Sequence, residues 1–251
     1  MIRLIISISL IVVLTGCKQT PCENLILFAG VGMTDAVKEI AKKFREETSI
    51  EVKLSLASSA ILVMQLESGA PADMIILASK QWADYAEEKQ LVIDSTSYTV
   101  AQNELVLVAP KNSKLQSIEI NQQTDLPNII QGKIGIGNPE TVPAGRYLMQ
   151  SLEYFGWDSA FRGRFINARD VRAALSYAEL GEVSASVVFA SDAIKSTKVK
   201  VIGTFPQNSH KPIEFISYMV VDNPKVNKLY EYITSEKGLK IWEKHGFLTV
   251  K

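Results

Sequence analysis

The feature that most restricts this chain is a repeated switch in the spacing of its apolar residues. Leu25-Ile26-Leu27-Phe28 is a continuous apolar run, and soon after it Ala36, Val37, Ile40, Ala41 and Phe44 fall on one face of a helix. The same change from strand to helix recurs along the chain. Strands are expected at 50–56, 73–77, 104–108, 133–137, 184–189, 199–205 and 215–221, and helices at 61–67, 81–89, 144–154, 170–180, 226–234 and 236–244. Pro71 follows the close of the 61–67 helix, Pro110 ends a strand and Pro224 opens the C-terminal helical pair. Strands separated by helices of this length need crossover connections, which predicts an α/β fold with parallel sheets covered on both faces. About nine strands are many for one open sheet and comfortable for two lobes of about five each.

With 251 residues the chain is long enough for two lobes with cores of their own. Lys plus Arg balances Asp plus Glu at 27 each, so no basic excess points to nucleic acid. The first residues read as targeting rather than fold. Met1-Ile2-Arg3 is a short basic region, and the apolar run from Leu4 to Leu14 is shorter than a spanning helix needs. It ends in Leu14-Thr15-Gly16-Cys17, which resembles the bacterial lipobox; that resemblance implies removal of residues 1–16 and acylation of Cys17. A secretory signal without lipid is the alternative. Residues 17–23 then form a tether, and the protein is expected in the periplasm or another extracytoplasmic space, lipid-anchored to a bacterial membrane. Cys17 and Cys22 can form a disulfide only if Cys17 carries no lipid. These two cysteines, with His210 and His245, show no metal-ligand spacing.

Four strand-to-helix junctions stand out: Gly30-Val31-Gly32-Met33-Thr34, Ala57-Ser58-Ser59-Ala60, Thr141-Val142-Pro143-Ala144-Gly145 and Ala168-Arg169-Asp170-Val171. Each places small or hydroxyl residues where the unpaired N–H groups of a first helical turn point outward. Such junctions lie at the carboxyl ends of strands, where α/β sheets bind ligands, and a helix N-terminus favours an anion. One junction alone is ordinary capping; four argue for a shared site. Gly30-x-Gly32 fails as a dinucleotide fingerprint because Asp35 stands where the third glycine belongs, and no Walker A pattern occurs. Ser59 has no candidate base, His210 and His245 read as solvated, and Asp170 and Glu179 read as surface charges. No catalytic constellation emerges, so no enzyme activity is expected.

Together these motifs resemble the periplasmic molybdate-binding proteins of ABC importers, a branch of the type II solute-binding proteins. The similarity runs through Phe28-Ala29 with Met33-Thr34-Asp35-Ala36, Leu56-Ala57-Ser58-Ser59, Glu67-Ser68-Gly69-Ala70-Pro71-Ala72-Asp73 and the 137–145 loop with its Val-Pro-Ala-Gly. It continues through Asp170-Val171-Arg172, Ser191-Asp192-Ala193 and Thr204-Phe205-Pro206 with Ser209-His210. The resemblance implies two similar α/β lobes joined by two crossing segments, with the ligand in the cleft. Lobe I would span about 24–103 plus 205–251, and lobe II about 104–204. It also implies oxyanion contacts at Gly32, Ser59, Ala144, Val171 and Phe189, no cofactor or metal beyond the bound oxyanion, a monomer, and an ABC permease of the molybdate type as partner.

The family usually has serine at the position of Gly32 and tyrosine at that of Phe189, so two hydroxyl donors are missing. Their loss would weaken binding by roughly 3–6 kcal/mol if the effects added. Ser58, Thr34 and Thr141 are the candidate substitutes, and restoring Gly32→Ser with Phe189→Tyr is expected to tighten binding. None of the five positions carries a carboxylate, and donors alone suit a fully deprotonated dianion: molybdate, tungstate or sulfate rather than hydrogen phosphate. Molybdate or tungstate is the expected ligand. The alternative is the same fold holding sulfate or an organic anion.

Overall fold

The computed structural model describes residues 24–249. The expected signal peptide (1–16), the tether (17–23) and both cysteines lie outside the described residues. The chain first builds β1 (Leu25–Gly30), α1 (Thr34–Thr48), β2 (Val52–Ala57), α2 (Ser59–Glu67), β3 (Met74–Leu77), α3 (Lys80–Glu88) and β4 (Tyr98–Gln102). Then come β5 (Leu105–Pro110), α4 (Leu126–Ile129), β6 (Ile134–Gly137), α5 (Pro143–Phe155), α6 (Asp158–Phe161), β7 (Phe165–Ala168), α7 (Val171–Glu179), β8 (Ala185–Phe189), α8 (Ala190–Ala193) and β9 (Val199–Thr204). It ends with β10 (Glu214–Met219), α9 (Pro224–Thr234) and α10 (Glu236–Lys244).

Local chemistry explains these elements. β3 and β8 are buried at every position, as strands covered on both faces must be. α1 turns Ala36, Val37, Ile40 and Phe44 inward and stops where Ser49 takes a left-handed conformation, its N–H returning to the Arg45 carbonyl. Asn223 caps α9 by accepting from the Lys225 and Val226 N–H groups ahead of the buried Val226 and Leu229. α10 is held by Trp242, fully buried and edge-on to Phe247, which in turn packs edge-on to Phe215.

Two five-stranded sheets result, in the orders β2-β1-β3-β10-β4 and β7-β6-β8-β5-β9. The second repeats the plan of the first, with β6, β7 and β8 parallel as β1, β2 and β3 are. The molecule is therefore two similar α/β units. The expectation of parallel sheets is corrected: β10 runs antiparallel to β3 and β4, and β5 antiparallel to β8 and β9. Each of these is the first strand laid down after the chain passes from one sheet to the other, β5 after residues 103–104 and β10 after 205–213. Strand direction leaves no trace in apolar spacing. Nor were β4 and β7 foreseen. Both are edge strands, and β7 buries only one of its four residues, so neither shows a continuous apolar run.

Candidate anion-binding site

Helices α1, α2, α5 and α7 start on one common cavity. β1 passes through a single tight turn, Val31–Met33, into α1; β2 gives way to α2 at Ser58; the loop after β6 enters α5; and β7 leads into α7 through Arg169 and Asp170. The cavity is lined by Gly30, Val31, Gly32, Ala57, Ser58, Ser59, Ala78, Val142, Pro143, Asp170, Val171, Phe189 and Phe215. Its cavity volume is about 20 Å³, more than a single water needs and suited to a compact group.

Four of the five expected positions, Gly32, Ser59, Val171 and Phe189, line this cavity. Ala144 does not; it is fully buried one residue beyond the lining Pro143. Proline has no N–H, so the first donor α5 can offer is that of Ala144. The N–H groups of Gly32, Ser59, Ala144 and Val171 have no acceptor among the described residues, the normal state of a helix start awaiting a partner. The start of α5 is fixed by a loop wound round Asn138, whose carbonyl accepts from Val142 N–H at 2.7 Å and from Thr141 N–H at 3.1 Å. There α5 packs so closely on the end of β6 that a Cβ on Gly145 would collide with the Gly137 carbonyl.

The hydroxyls differ in their engagement. Ser59 Oγ accepts from Ala78 N–H at 3.1 Å, which leaves its own proton free to donate. Thr34 already donates to the Val31 carbonyl, and Thr141 does not line the cavity. Ser58 Oγ is enclosed and has no hydrogen-bond partner among the described residues. Phe189, 2% exposed, offers no donor; its ring packs against Tyr147 and Phe215.

Three carboxylates lie in or near the wall, and the sequence alone does not place them there. Asp170 is no surface charge: it lines the cavity and caps α7 by accepting from Ala173 N–H at 2.8 Å. Asp192 is fully buried and lies behind Gly32, with Arg172 Nε 3.2 Å from its Oδ1 but not aligned as a hydrogen bond. Burial pushes its carboxyl up to about 7 against the opposing pull of Arg172 and Lys195. Asp35, in the first turn of α1, accepts from Arg172 at 2.7 Å and Lys195 at 3.1 Å. Burial raises its carboxyl, but these two cations together outweigh burial and bring it down to about 2. The signal for Asp192 was present in Ser191-Asp192-Ala193, but only the fold shows that this motif abuts Gly32.

A Cβ on Gly32 would stand 3.1 Å from Asp192 Oδ2 and 3.2 Å from Val171 Cγ1. A serine there would press on Val171 and set its hydroxyl beside Asp192, so any gain from Gly32→Ser requires these two side chains to give by a few tenths of an ångström. The histidines also differ from expectation. His245 Nε2 lies 2.8 Å from Glu39, and His210 is partly buried with its ring against Tyr147. Neither borders the cavity.

A family model described as bacterial extracellular solute-binding protein matches residues 25–248. The chain belongs to this family. Among solute-binding proteins, the molybdate-binding protein ModA of Escherichia coli (strain K12) is 37% identical over 91% of this chain and 90% of its own length. The Haemophilus influenzae protein of the same name is 33% identical, over 96% of each. A periplasmic molybdate-binding protein from Azotobacter vinelandii superposes with a TM-score of 0.77 over 91% of this chain and 100% of its own, at 19% identity; it speaks for the fold alone. Among the described residues no helix is long and apolar enough to cross a membrane.

Proposed function

We propose that this solute-binding protein captures molybdate or tungstate between its two lobes and delivers it to an ABC permease of the molybdate type. The observation that carries the reading is the convergence of unpaired first-turn N–H groups and the Ser59 hydroxyl around a cavity with room for one compact ion. Oriented dipoles hold a dianion without a full opposing charge, so release to the permease is not opposed by a tight ion pair. Gly32, Ser59, Ala144 and Val171 are read as main-chain donors, with Phe189 as an apolar wall. The lobes are read as 24–103 plus 205–251 and 104–204, closing on the ion. The ModA relatives favour molybdate over the sulfate and organic-anion alternatives. The same reading makes the protein a binder rather than a catalyst, monomeric, and held outside the cytoplasm by lipid on Cys17.

Molybdate and tungstate are expected to raise the melting temperature, with a gain in stability that grows with the logarithm of anion concentration and reaches about 2.7 kcal/mol at a hundredfold excess over Kd. Sulfate and phosphate serve as competitors in the same titration. No shift at millimolar molybdate or tungstate overturns the ligand. Mass spectrometry of the mature N-terminus tests the lipid, and an unmodified Cys17 rejects the anchor.

A further inference from the structure

We propose that Ser58 donates a hydrogen bond to the bound oxyanion and so replaces one of the two hydroxyls missing at Gly32 and Phe189; this rests on the oxyanion reading of the cavity. Ser58 occupies the N-cap of α2 in an extended conformation, where a serine normally accepts from an N–H of the first turn, yet it makes no such bond. It lines the cavity and is 4% exposed, and its Oγ is shut off from solvent without a partner among the described residues. A buried hydroxyl left unpaired is rare and destabilising, which points to a partner that arrives with the ligand. The other candidates do not fit: Thr34 is engaged with the Val31 carbonyl and Thr141 is not in the lining. Rotation about the Cβ–Oγ bond lets Ser58 aim its proton at an oxygen beside the one served by Ser59.

The test is calorimetric titration of molybdate into the wild type, Ser58→Ala, Ser58→Cys and Ser59→Ala, with thermal unfolding of each in the absence of anion. Ser58→Ala is expected to weaken binding roughly ten- to hundredfold without lowering the melting temperature of the unliganded protein. Ser58→Cys, nearly isosteric but a poor donor, is expected to follow it and serves if the alanine variant does not fold. The assignment is overturned if both Ser58 variants bind within about twofold of wild type while Ser59→Ala is strongly weakened. It is also overturned if their weaker binding is matched by an equal loss of unliganded stability, the mark of a structural serine. A wild type that binds neither molybdate nor tungstate overturns the oxyanion reading itself, an outcome visible before any variant is compared.

Discussion

At Gly32 the chain carries no side chain, yet the residue still brings an N–H to the cavity and leaves room for Asp192 behind it. Gly32→Ser is accordingly expected to bind molybdate no more tightly than wild type, as measured by calorimetry; clear tightening would show that Asp192 moves aside. Phe189→Tyr behaves oppositely. Its hydroxyl would sit in a wall shared with Phe215 and Val142, unsatisfied until an anion arrives. The unliganded melting temperature should fall while molybdate affinity rises about tenfold. An unchanged affinity would mean the hydroxyl does not reach the ion. Much of this site was legible in the sequence because a strand-to-helix junction is a local pattern: Gly32, Ser59 and Val171 each sit at one. Ala144 sits at the fourth junction and was singled out there by the family resemblance. Asp192 was not, since its nearness to Gly32 depends on two distant segments packing together.

Among the elements, α1 and α7 are joined by charge. Asp35 on α1 meets Arg172 on α7 and Lys195 just beyond α8, and Arg172 also faces the buried Asp192. The two acids have opposite consequences for stability. Asp192 titrates near 7 when folded against an ordinary value of 3.8, so between these values the folded state holds a proton that the unfolded state has lost. Its contribution therefore falls as pH rises from about 4 to about 7, by up to about 1.4 kcal/mol per pH unit, and is level above that. Asp35 is depressed to about 2, so its favourable contribution is present above pH 3.8 and disappears as pH drops toward 2. Asp192→Asn should remove the decline between pH 5 and 7 that this titration predicts for chemical denaturation of the wild type. An identical pH profile in the variant would place the titration elsewhere. Elements were legible wherever burial was two-sided, as in β3 and β8; half-exposed β7 and the reversed directions of β5 and β10 were not, because they follow from how the sheets are assembled.

Across the whole molecule, the two units are tied at the crossings as well as at the cavity. Asn103 donates to Ser191 at 2.7 Å, and the Ser151 and Ser209 hydroxyls meet at 2.9 Å, so each crossing segment is pinned to the second unit. Asp35 is the first unit's contribution to the charged contact at the rim, partly open to solvent and so sensitive to salt. Asp35→Asn is expected to speed molybdate release roughly two- to fivefold in stopped-flow displacement while leaving association nearly unchanged. A release rate equal to wild type would detach the rim contact from closure. The main-chain donors have a further consequence. No substitution deletes an N–H except one to proline, so in the proposed site an exchange of serine for glycine or of tyrosine for phenylalanine would retune the grip without abolishing it. Losing it altogether would take an insertion or proline that shifts where one of four helices begins.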